Sequence, residues 1–249
     1  MGKNKQARFR ENETFALLHQ PDFMTLLNND YHLKGRWHSD FFKNDNPITL
    51  ELGCGRGEYT ATMAQMFPTR NFIGIDIKGA RLWRGAKTAT EAGLPNVAFV
   101  RTKIETATSL FAPNEISEIW LTFPDPQPTR WKKRLCSSQF LNRYRQFMTH
   151  NGTLHLKTDC RVMHDYAKAL LAHNGITPTI AATDLYAENS LQGNAATSIQ
   201  TAYEKLFVSK GYAITYLQFA LPADKPLVEP ADFEFDKNVP VARRVVNNG

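Results

Sequence analysis

A glycine-rich turn between an apolar run and a helical pattern constrains this chain more than any other feature. The turn reads Glu51-Leu52-Gly53-Cys54-Gly55-Arg56-Gly57 and directly follows the apolar run Ile48-Thr49-Leu50. Glycine lets a backbone turn tightly between a strand and a helix while approaching a bound ligand closely. The sequence therefore predicts a nucleotide-type cofactor site that includes Gly53, Gly55 and Gly57.

The spacing of the glycines and two nearby acids indicate which cofactor binds. The dinucleotide pattern G-x-G-x-x-G requires a third glycine where this chain has Glu58. Asp76 ends the next apolar run, and a carboxylate at that strand tip can accept both hydroxyls of a ribose, whereas Glu51 can reach a cationic amino-acid group. An acid at the loop would repel a pyrophosphate. Both acids favour S-adenosylmethionine, a sulfonium cation without phosphates.

Length and composition exclude several classes of protein. The chain has 249 residues, of which 42% are hydrophobic, so one domain can bury a full core. It contains no apolar run of membrane-spanning length and no apolar signal region, and we expect a cytoplasmic protein. Three cysteines without a C-x-x-C pair and seven scattered histidines favour neither a disulfide framework nor a metal site.

The distribution of charge points to a phosphate-rich partner. The formal net charge is +6, and no acid occurs between Pro126 and Thr158. The basic residues of that stretch are Arg130, Lys132, Lys133, Arg134, Arg143, Arg145 and Lys157. A second cluster, Lys3, Lys5, Arg8 and Arg10, precedes the first acid, Glu11. Two basic clusters fit nucleic acid better than a small anion.

Alternating apolar runs and helical patterns from position 48 onward predict an α/β fold with a mostly parallel sheet. The predicted strands are Ile48–Glu51, Asn71–Asp76, Val97–Arg101, Ile116–Phe123, Thr153–Thr158, a long run at Ile176–Tyr186, and Tyr212–Leu221. The predicted helices lie near 58–66, 79–92, 134–149 and 161–173, with a last one ending at Gly211. We expect a basic extension over 1–44, a domain over 45–221 and a tail over 222–249, with both extensions ordering on binding.

Ligands of such sheets bind beyond the carboxyl ends of the strands, where this chain carries two acids. Asp125 lies in Phe123-Pro124-Asp125-Pro126 after the fourth strand, and the prolines hold it rigidly beside the methyl group of the cofactor. It is the candidate catalytic residue and is counted among the cofactor contacts. Asp159 follows the fifth strand, where capping of the next helix is the alternative role.

A third cluster, Thr201-Ala202-Tyr203-Glu204, has the T-x-x-E spacing of a helix capping box. Taken by itself, this spacing favours the structural role over contact with a ligand.

The chain carries four motifs in order: the E-x-G-x-G-x-G loop, F-P-D-P followed by Lys132-Lys133-Arg134, Lys157-Thr158-Asp159, and T-x-Y-E. Together they resemble the bacterial tRNA (guanine-N7)-methyltransferases over about positions 45–221. The resemblance implies a Rossmann-like class I methyltransferase with a seven-stranded sheet, helices on both faces and an antiparallel edge strand. It implies methyl transfer from S-adenosylmethionine to N7 of a variable-loop guanosine in tRNA. It also turns Thr201, Tyr203 and Glu204, with Asp159, into candidate substrate-binding residues.

The chain departs from the family pattern at two places. After the third strand the family usually carries an acidic or amide residue that contacts adenine, whereas this chain reads Arg101-Thr102-Lys103-Ile104-Glu105. Lys103 and Glu105 are the candidates there, with backbone groups as the alternative. The lysine implied near the target base is Lys132, although Gln127–Trp131 intervenes where the family has an aromatic and a His-Lys pair.

Two other functions compete with this prediction. A methyltransferase that acts on exocyclic base amines carries an N-P-P-aromatic loop after the fourth strand. This chain differs from that pattern, because Asp125 stands in place of the asparagine and the aromatic residue is missing. A non-catalytic RNA-binding module would not need intact glycines with Glu51 and Asp76. The choice between monomer and homodimer stays open.

Overall fold

The computed structural model describes residues 2–231 and residue 233, and these form an eight-stranded sheet with the order β1-β4-β3-β2-β5-β6-β8-β7. The strands are β1 Leu18–His19, β2 Ile48–Leu52, β3 Asn71–Asp76, β4 Val97–Arg101, β5 Ile116–Thr122, β6 Met148–Thr158, β7 Ile180–Ala182 and β8 Thr215–Ala220. Strands β1 to β6 pair in parallel, whereas β8 is antiparallel to both β6 and β7. The predicted α/β class and the antiparallel pairing at that edge are confirmed.

Helices cover both faces of the sheet. They are α1 Gly2–Asn12, α2 Phe23–Asn28, α3 Glu58–Met66, α4 Gly79–Glu91, α5 Ala107–Leu110, α6 Ser138–Tyr144, α7 Arg161–His173, α8 Ala195–Ser198 and α9 Ala202–Ser209. Single helical turns lie at Trp37–Phe42, Ile104–Thr106, Trp131–Lys133 and Asn189–Leu191. Residues of α3, α4 and α9 pack on one face, and residues of α5, α6 and α7 pack on the other. No described helix has both the length and the apolar character that crossing a bilayer requires.

Two predicted elements are shorter than their apolar patterns. The helix expected over 134–149 is confined to α6, because Phe147 and Met148 leave the helix and lead into β6. The strand expected over 176–186 forms only β7. In 134–149 buried apolar residues continue at helical spacing past the end of α6, and in 176–186 inward-facing residues continue beyond β7, so neither pattern fixes where the backbone pairing ends.

The N-terminal segment differs from the prediction, because it is part of the fold. Strand β1 pairs with β4 and makes the eighth strand. Helix α1 packs on α4, where Asn12 Nδ2 donates to Gly79 O over 3.0 Å. Trp37 has 0% exposure and donates from Nε1 to Leu110 O. These contacts pack the segment against the domain.

The start of the C-terminal tail is also folded against the domain. Leu227 is buried, and its backbone N–H and C=O both bond to the Asn142 side chain over 2.8 Å. Tyr166 donates a hydrogen bond to Glu229. Residues 222–231 therefore do not await a partner, whereas 232 and 234–249 of the predicted tail lie outside the described residues.

Candidate active site

The glycine loop follows β2 at the point where the strand order reverses between β2 and β5. Gly53, Gly55 and Gly57 have φ values of +78°, +59° and +67°, in the left-handed region that favours glycine. A Cβ placed on Gly55 meets no atom within 4 Å, whereas one on Gly57 lies 2.8 Å from Phe99 Cζ. Gly55 therefore leaves room for a ligand, and Gly57 permits α3 and α4 to pack closely.

Asp76 ends β3 and lies directly beside the glycine loop. Its Oδ2 accepts from the Gly55 N–H at 3.0 Å, and its Oδ1 accepts from the Lys78 N–H at 2.8 Å. Both oxygens retain a lone pair, since a carboxylate accepts about four hydrogen bonds. The predicted juxtaposition of Asp76 and the glycine loop is therefore present, and the open turn with its half-exposed carboxylate fits S-adenosylmethionine.

Glu51 is buried, with 2% exposure, and joins the ends of β2, α3 and β5. The Thr60 N–H donates to Oε2 at 2.9 Å, and the hydroxyls of Thr60 and Thr122 donate to Oε2 and Oε1. Burial raises the pKa of Glu51 to about 7 against these hydrogen bonds, which lower it. Glu51 therefore joins β2 to the first turn of α3 and to the end of β5, and its reach to an amino group of the cofactor stays a prediction.

Asp125 is exposed on a strained loop after β5. Phe123 and Gln127 on either side of it have φ values of +49° and +45°, although neither is glycine. Such conformations cost about 1–3 kcal/mol each and concentrate at functional sites. Asp125 Oδ1 accepts from the Gln127 N–H at 3.1 Å. Because β5 neighbours β2 in the sheet, this loop starts beside the glycine loop.

Arg134 holds this loop from beneath, a role that sequence reasoning missed. It is 3% exposed, and its Nε donates to the carbonyls of Pro126 and Gln127 at 3.1 and 3.2 Å. Its Nη2 donates to Pro128 O at 3.1 Å. The prediction that Arg134 contacts phosphates is wrong, because the guanidinium is buried under the loop.

Asp159 and Tyr203 meet next to the Asp125 loop. The Tyr203 hydroxyl donates to Asp159 Oδ2 at 3.0 Å, and the Tyr203 ring lies 5.2 Å from that of Phe123, edge to face. Tyr203 also stacks on Phe207. The structure thus places Tyr203, which is hydrogen-bonded to Asp159, against Phe123 at the start of the loop that carries Asp125, and the contacts of these residues with substrate stay predictions.

Thr201 caps α9 as its spacing indicates, but Glu204 does not complete a capping box, because its carboxylate faces Lys157 instead. The Glu204 N–H donates to Thr201 Oγ1 at 3.2 Å at the start of α9. The Glu204 carboxylate has 0% exposure and lies 2.7 Å from the Lys157 ammonium. The predicted direct contact of Glu204 with substrate therefore does not match the structure, because Lys157 holds the carboxylate in the core. Lys157 is likewise buried and does not contact phosphates.

The remaining predicted residues lie at the surface beyond β4 and β5. The exposed Lys103 ammonium lies 4.0 Å from the centre of the Phe23 ring. Glu105 accepts a hydrogen bond from Lys133 at 2.8 Å. Lys132 is exposed beside Trp131. Their contacts with adenine and with the target base stay predictions.

Comparison with known proteins agrees with this fold. Residues 45–217 match the family described as "Putative methyltransferase". Among solved structures of low identity, the 16S rRNA methyltransferase KamB aligns with a TM-score of 0.57 at 15% identity over 74% of this chain and 92% of its own. An adenine-1408 N1-methyltransferase of 16S rRNA from Catenulisporales acidiphilia, solved with S-adenosylmethionine, aligns at 0.53 and 16% over 80% and 96%. These likenesses concern the fold.

The sheet order, the open glycine turn and the adjacent carboxylate define a class I S-adenosylmethionine-dependent methyltransferase. A protein of Christiangramia forsetii named tRNA (guanine-N(7)-)-methyltransferase is 52% identical over 88% of this chain and 98% of its own length. One of Bacteroides fragilis with the same name is 45% identical over 95% and 92%. The chain belongs to the tRNA (guanine-N(7)-)-methyltransferase family.

Proposed function

We propose that this protein transfers the methyl group of S-adenosylmethionine to N7 of a guanosine in the variable loop of tRNA. The observation that carries the proposal is the exposed Asp125 on a strained loop beside the glycine turn. The 52% identity to the Christiangramia forsetii protein named tRNA (guanine-N(7)-)-methyltransferase supports guanine as the base, N7 as the acceptor atom and tRNA as the substrate.

The acceptor atom determines what the protein must supply. Guanine N7 has an in-plane lone pair and no proton, so attack on a methyl group needs no general base. S-adenosylmethionine supplies that methyl as a sulfonium electrophile. Catalysis then depends on holding the two reacting atoms in line at about 3–3.5 Å, which contributes several kcal/mol.

Asp125 is suited to positioning the base. Its carboxylate can accept hydrogen bonds from the donor edge of guanine and stabilise the positive charge that develops on the ring. A loop that keeps this carboxylate fixed avoids reorganisation during the reaction. Asp159 and Tyr203 are hydrogen-bonded to each other, and Tyr203 packs against Phe123 at the start of the same loop.

The exposed basic residues near this loop are fewer than the sequence indicates. Arg130 and Lys132 are exposed, and Lys133 is exposed although paired with Glu105. Trp131 beside them has 37% exposure and offers a ring for stacking with an extruded base. This surface is suited to tRNA phosphates and an unstacked nucleotide, with affinity that falls as salt rises.

The test is incubation with labelled S-adenosylmethionine and unmodified tRNA, followed by reduction and aniline cleavage, which cuts the strand at N7-methylguanosine. Cleavage at a variable-loop guanosine is expected, and a tRNA with 7-deazaguanosine there should accept no label. Label without cleavage would refute N7 as the acceptor and favour an exocyclic amine.

The role of Asp125 has its own test. Asp125→Asn should keep S-adenosylmethionine affinity within about threefold and lower kcat on the order of a hundredfold, since it removes the charge that stabilises the transition state. Parallel loss of cofactor binding would remove Asp125 from the acceptor side.

A further inference from the structure

Lys157, near the end of β6, has a fully buried ammonium group that the proposed reaction does not use. Both Lys157 and its partner Glu204 have side chains with 0% exposure. A buried ammonium is stable only when its donors are satisfied. Burial lowers the pKa of Lys157 and raises that of Glu204, and each partner opposes the shift of the other.

The ammonium joins two separate helical segments. Nζ lies 2.7 Å from Glu204 Oε1 and donates to the carbonyls of Ala196 and Ile199 at 2.5 and 2.9 Å. These three partners use all three donors of the group. Lys157 therefore bonds to α8 at Ala196, to Ile199 directly after it and to the first turn of α9 at Glu204, and so joins both helical parts of segment 194–204.

The backbone of the same residue holds the Asp125 loop. The Lys157 carbonyl accepts from the Phe123 N–H at 2.8 Å, and Phe123 begins the strained turn that leads to Asp125. The side chain and the backbone of Lys157 thus connect the two motifs that meet at Tyr203 and Phe123.

Stability alone does not explain the pair. Replacing a buried ion pair with apolar residues of similar volume is often neutral or stabilising, whereas removing one partner is strongly destabilising. A charged pair that bonds backbone carbonyls on another segment supplies directional contacts that an apolar pair lacks.

We propose that Lys157 is a positioning residue that, through Glu204 and the carbonyls of Ala196 and Ile199, fixes segment 194–204 against Asp159 and the Asp125 loop for tRNA binding. The proposal rests on the proposed function, because it takes this segment to face the tRNA. Thr201 and Tyr203 are the residues that it positions.

The test compares Lys157→Met, Glu204→Gln and the double variant in the full-length protein. Lys157→Met should lower the melting temperature, because it removes the positive charge beside the buried Glu204 carboxylate and leaves the Tyr186 hydroxyl as its side-chain donor. The double variant should recover most of that loss and still show a KM for tRNA raised on the order of tenfold, since the bonds to Ala196 and Ile199 remain absent. Affinity for S-adenosylmethionine should stay within about threefold of the wild type in the double variant.

Arg70→Met is the matched control. It breaks the Arg70–Glu118 ion pair near the start of β5, away from Asp125. It should lower the melting temperature with an unchanged KM for tRNA. Recovery of both melting temperature and KM in the double variant would overturn the proposal, as would a parallel loss of cofactor affinity.

Amide hydrogen exchange separates this proposal from the proposed function, because it needs neither tRNA nor cofactor. Amides of 194–204 should exchange faster in the double variant than in the wild type, and unchanged exchange would overturn the role of Lys157. If exchange is faster in the double variant but the wild type methylates no tRNA, Lys157 does fix segment 194–204, and the proposed tRNA methylation is refuted instead.

Discussion

Removal of Arg134 should uncouple methyl transfer from cofactor binding. Arg134 makes three hydrogen bonds to the carbonyls of Pro126, Gln127 and Pro128, two of them from a single N–H. Hydrogen bonds to a charged group contribute about 1.5–3 kcal/mol each. Because two of the three bonds share one N–H, we count them as one, and Arg134 then stabilises the loop by about 3–6 kcal/mol. The left-handed conformations of Phe123 and Gln127 together cost about 2–6 kcal/mol. The two quantities are similar, and the loop should relax when the guanidinium is removed.

The assay is steady-state kinetics with tRNA, alongside calorimetric titration of S-adenosylmethionine. Arg134→Met should lower kcat on the order of a hundredfold, because a misplacement of about 1 Å has that effect. The Kd for the cofactor should change less than about threefold. Arg134→Lys should not rescue kcat, since an ammonium lacks the planar fork of donors. The exposed Arg130→Met is the control and should mainly weaken tRNA binding. A folded Arg134→Met protein with kcat within threefold of the wild type would refute the role of Arg134.

Three further predictions concern the cofactor end of the site. Asp76→Ala should raise the Kd for S-adenosylmethionine on the order of tenfold by removing a ribose acceptor and the bond to Gly55; unchanged affinity in a titration would remove Asp76 from the ribose site. Gly57→Ala should destabilise the fold by about 2–4 kcal/mol, because the added methyl group contacts Phe99. Gly55→Ala should destabilise it by only about 1–2 kcal/mol but should weaken cofactor binding, since its methyl group would enter the space left for the ligand. Denaturant melts and cofactor titrations measure the two effects, and a larger loss of stability for Gly55→Ala would contradict the geometry. The pKa of Glu51 is about 7 in the folded protein, against 4.5 for an ordinary glutamate. Between these pH values Glu51 loses its proton more readily in the unfolded chain than in the folded one. The free energy of unfolding should therefore fall by up to about 3 kcal/mol as the pH rises from 4.5 to 7. Glu51→Gln should remove that decline in melts across this range, and an equal decline in both proteins would refute it.

The sequence predicts the glycine turn, Asp76 and Asp125 because their chemistry is local. Glycine at a left-handed turn, an acid at a strand tip and prolines around an aspartate each constrain the backbone where they occur. The parallel sheet then brings their loops to one edge, so a correct strand pattern is sufficient to place them together.

The hydrogen-bond partners of the site could not be predicted in this way. Glu51 depends on Thr60 and Thr122, which lie 9 and 71 residues away along the chain. Arg134 and Lys157 belong to a stretch without acids, and the count of charges does not reveal which side chains are buried. Only the packing of α9 on the sheet provides Lys157 with Glu204. The K-T-D motif marked Lys157 and the run Lys132-Lys133-Arg134 marked Arg134, but neither pattern indicates that the side chain is buried.

The burial of Trp37 shows that the folding unit is longer than the range that the family match covers. The family match spans 45–217, but Trp37 lies in the core before that range, and Leu227 lies in the core after it. Glu115, which lies inside the range, accepts from the backbone N–H groups of Gly35 and Trp37 outside it, at 2.9 and 3.2 Å. A protein trimmed to the aligned range would expose Leu110 and Phe111, which Trp37 contacts, and would leave Glu115 with only the Ala112 N–H of its three backbone donors. A protein prepared for crystallisation or for tRNA complexes should therefore keep the chain from α1 to Glu229, although the aligned range alone suggests a shorter domain.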